Sequence, residues 1–146
     1  MITTGEYQLI DRVPTVAEHR ALFEAVGWTL YAPAAAETAL ANSLCGVVAL
    51  DGERLIGMGR VIGDGGKFFY VQDVAVLPEY QGKGVGTLIM DRLLAWIKAN
   101  APHEPFVGLF ATDVAIPFYA KYGFEQHLDA LTGLWTVLPV DNTTRE

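Results

Sequence analysis

The fold class the sequence predicts is α+β: a mixed, mostly antiparallel sheet of six to seven strands flanked by about four helices. Three observations predict it. Strand-like apolar runs are separated by Asp51-Gly52 and by Asp64-Gly65-Gly66, turn sequences that favour hairpins. A long amphipathic helical pattern starts immediately after a glycine-rich turn at residues 82–86. The chain has 146 residues, 51% of them hydrophobic, so one ordinary core can be buried without disulfides or metal.

Each element follows from local signals. Tyr7 to Ile10 reads as a short strand. Thr15 with Glu18 three residues on makes a capping box ahead of Ala21, Leu22 and Val26, and Gly27 stops that helix. An aromatic loop, Trp28-Thr29-Leu30-Tyr31-Ala32-Pro33, leads into a short alanine-rich helix around Ala34 to Ala41. Cys45 to Leu50, Leu55 to Ile62 and Lys67 to Leu77 are then three antiparallel strands. In the last of these, Phe69, Val71, Ala75 and Leu77 fall on one face and Phe68, Val74 and Val76 on the other, as expected of a strand covered on both sides.

After the glycines, Val85, Leu88, Ile89, Leu93, Trp96 and Ile97 keep helical spacing until Asn100-Ala101-Pro102. Phe106 to Phe110 reads as a buried strand. A helix from about Asp113 to Tyr122 follows, with Pro117 in its first turn and Gly123 as its C-cap. Two closing strands, Phe124 to Leu128 and Leu131 to Leu138, complete a single domain over residues 1–146, of which 141–146 form a loose polar tail.

Composition narrows the function. One cysteine, Cys45, excludes an internal disulfide and a multi-cysteine metal cluster and fits a reducing, cytoplasmic setting. His19, His103 and His127 are scattered without metal-ligand spacing, so surface or satisfied histidines are expected and no metal. Neither a basic, apolar leader nor an apolar run of about 18 residues is present, which points away from export and from the membrane. Ten basic against seventeen acidic side chains give a net charge of −7, which repels nucleic acid and suits a cationic substrate or simply solubility. The apolar composition leaves room for a homodimer interface.

The chemistry concentrates in Gln81-Gly82-Lys83-Gly84-Val85-Gly86. A helix that starts on glycines presents unpaired N–H groups and the positive end of its dipole to an anion. Lys83 and the Thr87 hydroxyl can add contacts to phosphate oxygens. Taken alone, the glycines read equally well as a tight strand-to-helix turn without a ligand. The spacing matches neither G-x-x-x-x-G-K-S/T nor G-x-G-x-x-G, and hairpins rather than a βαβ unit precede it.

Val74-Ala75-Val76-Leu77-Pro78-Glu79-Tyr80-Gln81-Gly82-Lys83-Gly84-Val85-Gly86-Thr87 resembles the acetyl-CoA motif of the GNAT superfamily of N-acetyltransferases, with its Gln/Arg-x-x-Gly-x-Gly/Ala turn. Ala115 to Phe124 resembles a second signature of the superfamily, A-x-x-F-Y-x-x-x-G-F, and the order of elements agrees over nearly the whole chain. The resemblance implies that the amides of Gln81 to Gly86 bind the pyrophosphate of acetyl-CoA. It implies further that Val74, Ala75 and Val76 pair with the pantetheine arm in a slot where the sheet splays. Tyr119 falls where relatives place the tyrosine that protonates the departing thiolate.

The base is less defined. Relatives often place a glutamate or histidine on the strand face that here carries Tyr70 and Gln72, neither a usual base. A water held by either residue, or Asp73 if a bulge turns it inward, can serve instead. Thr112 stands where many relatives carry a cofactor-binding asparagine, and otherwise reads as a helix cap. Cys45 lacks the neighbours of an acyl-carrying nucleophile. Trp28, Leu30 and Tyr31 lie where the fold usually covers the acceptor, and with Tyr70 and Gln72 they are candidates to bind a small primary amine. The expected function is direct transfer of an acetyl group to such an amine in a ternary complex; the alternative is a CoA-binding sensor or scaffold without turnover.

Overall fold

Helix α1 (Val16–Val26) starts where the capping signal places it: Glu18 N–H donates to Thr15 Oγ1 at 3.1 Å and Thr15 N–H to Glu18 Oε1 at 2.8 Å. It ends at Gly27, whose φ of +79° is the left-handed conformation open to glycine. The computed structural model describes residues 7–140, so the tail expected over 141–146 lies outside the described residues. The other elements are β1 (Gln8–Ile10), α2 (Pro33–Ala41), β2 (Cys45–Asp51), β3 (Arg54–Gly63), β4 (Phe68–Val76), α3 (Val85–Asn100), β5 (Phe106–Gly108) and α4 (Ile116–Ala120). Short 3₁₀ turns cover Pro78–Tyr80 and Asp113–Ala115.

The sheet order is β1-β2-β3-β4-β5. The first four strands form an antiparallel meander, and β5 joins parallel to β4, with α3 as the crossover a parallel connection requires. On one face α1 brings Leu22 and Phe23 against Val48, Met58 and Ala75. On the other, α3 comes so close to β3 that a Cβ at Gly59 would stand 2.8 Å from Ile89 Cγ2 and 2.9 Å from Leu93 Cδ1. Gly57 faces Ile89 and Val85 in the same way, so two glycines on β3 set the depth at which α3 is seated.

Three expectations need correction. The sheet has five strands among the described residues, not six to seven: Phe124 to Leu128 and Leu131 to Leu138 form no ladder. Strands exist through pairing, whereas Phe124 N–H donates to Tyr119 C=O and Ala130 N–H to His127 C=O, both local turns. Strand β5 is three residues long and not buried, since Phe106 and Phe110 are 44% and 66% exposed.

The third correction concerns β4. Its register passes from Ala75 opposite Met58 to Gln72 opposite Arg60, so Gly59 faces two residues, Asp73 and Val74. Asp73 has φ +56°, the one positive φ of a non-glycine residue among those described. Left-handed backbone costs an ordinary residue roughly 1–2 kcal/mol and is tolerated best by Asn and Asp. The bulge breaks the expected alternation: Ala75 packs toward α1, whereas Val71, opposite Val61, shares the α3 face with Gly59.

The described chain divides into two compact units between Phe110 and Ala111. The first holds the sheet with α1, α2 and α3. In the second, the helix expected from Asp113 to Tyr122 is split into the Asp113–Ala115 turn and α4, with Pro117 in the first turn and Gly123 left-handed at φ +88°. Phe118, Tyr119, Tyr122 and Phe124 make edge-on ring contacts within it.

Candidate functional site

Strand β4 runs out through the Pro78–Tyr80 turn into Gln81, whose side-chain amide donates back to the Val76 carbonyl at 3.0 Å. Gly82 and Gly84 then adopt φ +77° and +87°, and Gly84 is the N-cap of α3. A Cβ built at either position meets no atom within 4 Å, so conformation rather than crowding calls for glycine here. The first helical bond runs from Leu88 N–H to Gly84 C=O at 3.1 Å. The amides before it, those of Val85 and Gly86 foremost, have no helical carbonyl to reach and stand at the positive end of a 16-residue dipole. Thr87 is exposed in the same first turn, and Lys83 Nζ lies 5.6 Å from the centre of the Tyr80 ring.

Next to this turn the sheet opens. Strand β4 is nine residues long, but β5 pairs only with Phe68, Phe69 and Tyr70. Gly108 lies against the Tyr70 ring, where an added Cβ would come within 3.1 Å of it. Beyond Tyr70, the β4 edge that would face β5 has no strand partner among the described residues, and Val74, Ala75 and Val76 lie on that stretch. An unpaired edge that ends at a glycine nest is a donor and acceptor set suited to an amide-bearing arm attached to phosphates. The residues present thus fit acetyl-CoA.

On the α1 side, the bulge carries the Asp73 carboxylate into a cluster that composition and motifs do not reveal. Arg60 Nε donates to Oδ2 at 2.7 Å, His19 Nε2 stands 3.0 Å from the same oxygen, and the Tyr31 hydroxyl donates to Oδ1 at 3.0 Å. The side chains of His19, Arg60 and Asp73 are 2%, 6% and 7% exposed. Burial first, and then the adjacent Asp73 charge, push the Tyr31 phenol above its ordinary pKa. Tyr31 and Trp28 both stand edge-on to Phe23. Tyr70 and Gln72, opposite Ile62 and Arg60, fall on the same face of the sheet as Arg60. Tyr31, Gln72 and Asp73 are therefore brought to one region. Trp28, 40% exposed, packs on Phe23 at its margin.

Tyr119 lies in the second unit, in α4, where burial raises its pKa. Thr112 precedes the Asp113–Ala115 turn without a side-chain capping bond. Burial also pushes the Cys45 thiol up to about 12, far from an activated nucleophile. His19 is a satisfied core histidine, while His103 and His127 are exposed. Sequence reasoning passed over Arg60 and its link to His19. The available signal was an arginine inside the apolar strand Leu55 to Ile62, which needs a buried acid close by in the sheet.

The Acetyltransferase (GNAT) domain family matches residues 42–126. A probable acetyltransferase of unknown function from methicillin-resistant Staphylococcus aureus is 37% identical, with a TM-score of 0.83 over 90% of this chain and 99% of that one. A GNAT family protein from Streptococcus pneumoniae is 32% identical, with a TM-score of 0.75 over 90% and 98%. Among curated relatives, an uncharacterized N-acetyltransferase of Porphyra purpurea is 32% identical over 82 residues, 56% of this chain, of which the chain spans 46%. The chain spans 31% of a chloroplastic N-acetyltransferase from Arabidopsis thaliana. The glycine nest on α3, the mixed sheet opened between β4 and β5, and the match across residues 42–126 together place the chain in the GNAT acetyltransferase family.

Proposed function

We propose that the protein is an acetyl-CoA-dependent N-acetyltransferase that transfers the acetyl group directly to a primary amine of a small molecule. The observation that carries this reading is the continuity of the unpaired β4 edge with the glycine nest. When bound, acetyl-CoA supplies a thioester whose sulfur is a fair leaving group, its thiol having a pKa near 8.5. The amides at residues 84–86 hold the pyrophosphate, and Lys83 and Thr87 add polar contacts. Val74, Ala75 and Val76 orient the arm by their backbone and aim amides at the thioester oxygen. Tyr119 keeps a phenolic proton for the departing sulfur. Because three donors already occupy the Asp73 carboxylate, a water held by Gln72 or Tyr70 is the better acceptor for the amine proton.

A relative from rice is named a serotonin N-acetyltransferase, 33% identical over 81 residues. It favours an alkylamine that carries an aromatic ring among the acceptors to be tried, which agrees with the aromatic residues Trp28, Tyr31 and Tyr70. The test is release of free thiol from acetyl-CoA in the presence of alkylamines, arylalkylamines, arylamines, amino sugars and peptides. Acceleration by at least one small amine, lost in Gly84→Glu, is expected. CoA binding without acceleration by any acceptor would convert the reading to a sensor or scaffold. Acceleration by peptides alone would overturn the small-molecule assignment.

A further inference from the structure

The glycine nest does not need the buried charges at the β4 bulge, and the chemistry above leaves them unused. Three segments nevertheless converge on one carboxylate, and a fourth is tied to it through Arg60. His19 comes from α1, Tyr31 from the 28–33 loop and Arg60 from β3, while Arg60 Nη1 also donates to Ala39 C=O of α2 and to Ser43 Oγ, each at 3.2 Å. No buried side-chain polar atom among the described residues lacks a partner, so the cluster is fully satisfied. At its centre, Asp73 is held in left-handed backbone one residue before Val74, on the stretch of β4 left unpaired beyond Tyr70. In a regular strand its side chain would fall on the opposite face from Gln72 and Arg60, among the apolar side chains of α3. The bulge and the cluster therefore require each other.

We propose that Asp73 is a positioning residue: its bonds to Arg60, His19 and Tyr31 lock the β4 bulge and so set the direction of the backbone groups of Val74 to Val76. In this arrangement the Tyr31 hydroxyl latches the 28–33 loop to the same carboxylate. Donor-side backbone and acceptor-side loop are then fixed to one point, and an error in either displaces the other. The kinetic consequence rests on the N-acetyltransferase reading; the structural consequence does not.

The test combines amide hydrogen exchange on the full chain with kinetics using the best amine of the panel. Asp73→Asn preserves shape and tolerance of left-handed backbone but faces Arg60 and Tyr31 with a weaker partner. Exchange should accelerate at 72–76 and 28–33 and stay unchanged at 85–100, with kcat lowered about tenfold to a hundredfold and KM for acetyl-CoA within about threefold. Should Asp73→Asn fail to fold, Tyr31→Phe keeps the Arg60 pair and removes only the latch. It should accelerate exchange at 28–33 and raise KM for the amine while leaving that for acetyl-CoA in place. Unaltered exchange at both segments in a folded variant overturns the proposal, whatever the activity. Altered exchange in a protein that acetylates no amine leaves the brace standing and sinks the catalytic reading.

Discussion

Burial holds Tyr119 and Cys45 further toward their protonated forms than free side chains. A phenol whose pKa lies above the ordinary 10 stays protonated across neutral pH and is a donor throughout. In Tyr119→Phe, kcat should fall about a hundredfold, the scale of one lost general acid, with KM for acetyl-CoA little changed. In the wild type the loss of kcat through this group should appear only as pH rises past 10, because the acid form disappears at the raised folded value. Cys45, pushed up to about 12, is nearly all thiol at pH 8. Maleimide should label it slowly in the native protein and fast after denaturation, and rapid native labelling would contradict its burial. At this scale the sequence was legible where a residue type sits in a spaced motif, as with Gly82 and Gly84. Asp73 was legible only as a residue a bulge could turn inward, and its link to Arg60 and His19 was not, because nothing local names a partner fifty-four residues away.

Local signals served best for helices and hairpins. The capping box at Thr15 and Glu18, the Gly27 stop and the two hairpin turns were all readable, since each is a contact within a few residues of itself. Thr15→Ala should destabilise the fold by about 1 kcal/mol at pH 7, as read by thermal melting. Glu18 has its pKa lowered, first by the hydrogen bond from Arg12 and then by the cap amide. Its contribution is present above the ordinary value of 4.5 and lost as pH falls through the lowered one, so Glu18→Gln should cost less stability at pH 3 than at pH 7. Gly59→Ala forces a methyl against Ile89 and Leu93 and should cost about 1–3 kcal/mol in a denaturant titration. The closing strands were misread for the opposite reason: an apolar stretch such as Leu131 to Leu138 says nothing about a pairing partner.

For the whole molecule, charge and apolar surface act together. The sequence pI is about 4.8, and Leu131, Leu134, Trp135 and Val137 are all more than three-quarters exposed. Light scattering should show association as pH approaches 4.8, where repulsion vanishes, and monodisperse particles at pH 7.5 at the same concentration. Scattering that is flat across this range would mean the exposed side chains do not govern association. Family and fold class were legible from the order of two motifs and the elements around them, whereas the opening between β4 and β5 depends on how few residues β5 contributes. The bond from Gln81 to the Val76 carbonyl has a consequence at this scale. It is a strut between the strand end that would grip an amide arm and the turn that would grip its phosphates, so the spacing between the two grips is built in. On the proposed reading, such a strut would gauge the length of the carrier and leave the acyl group hanging from it to be judged elsewhere.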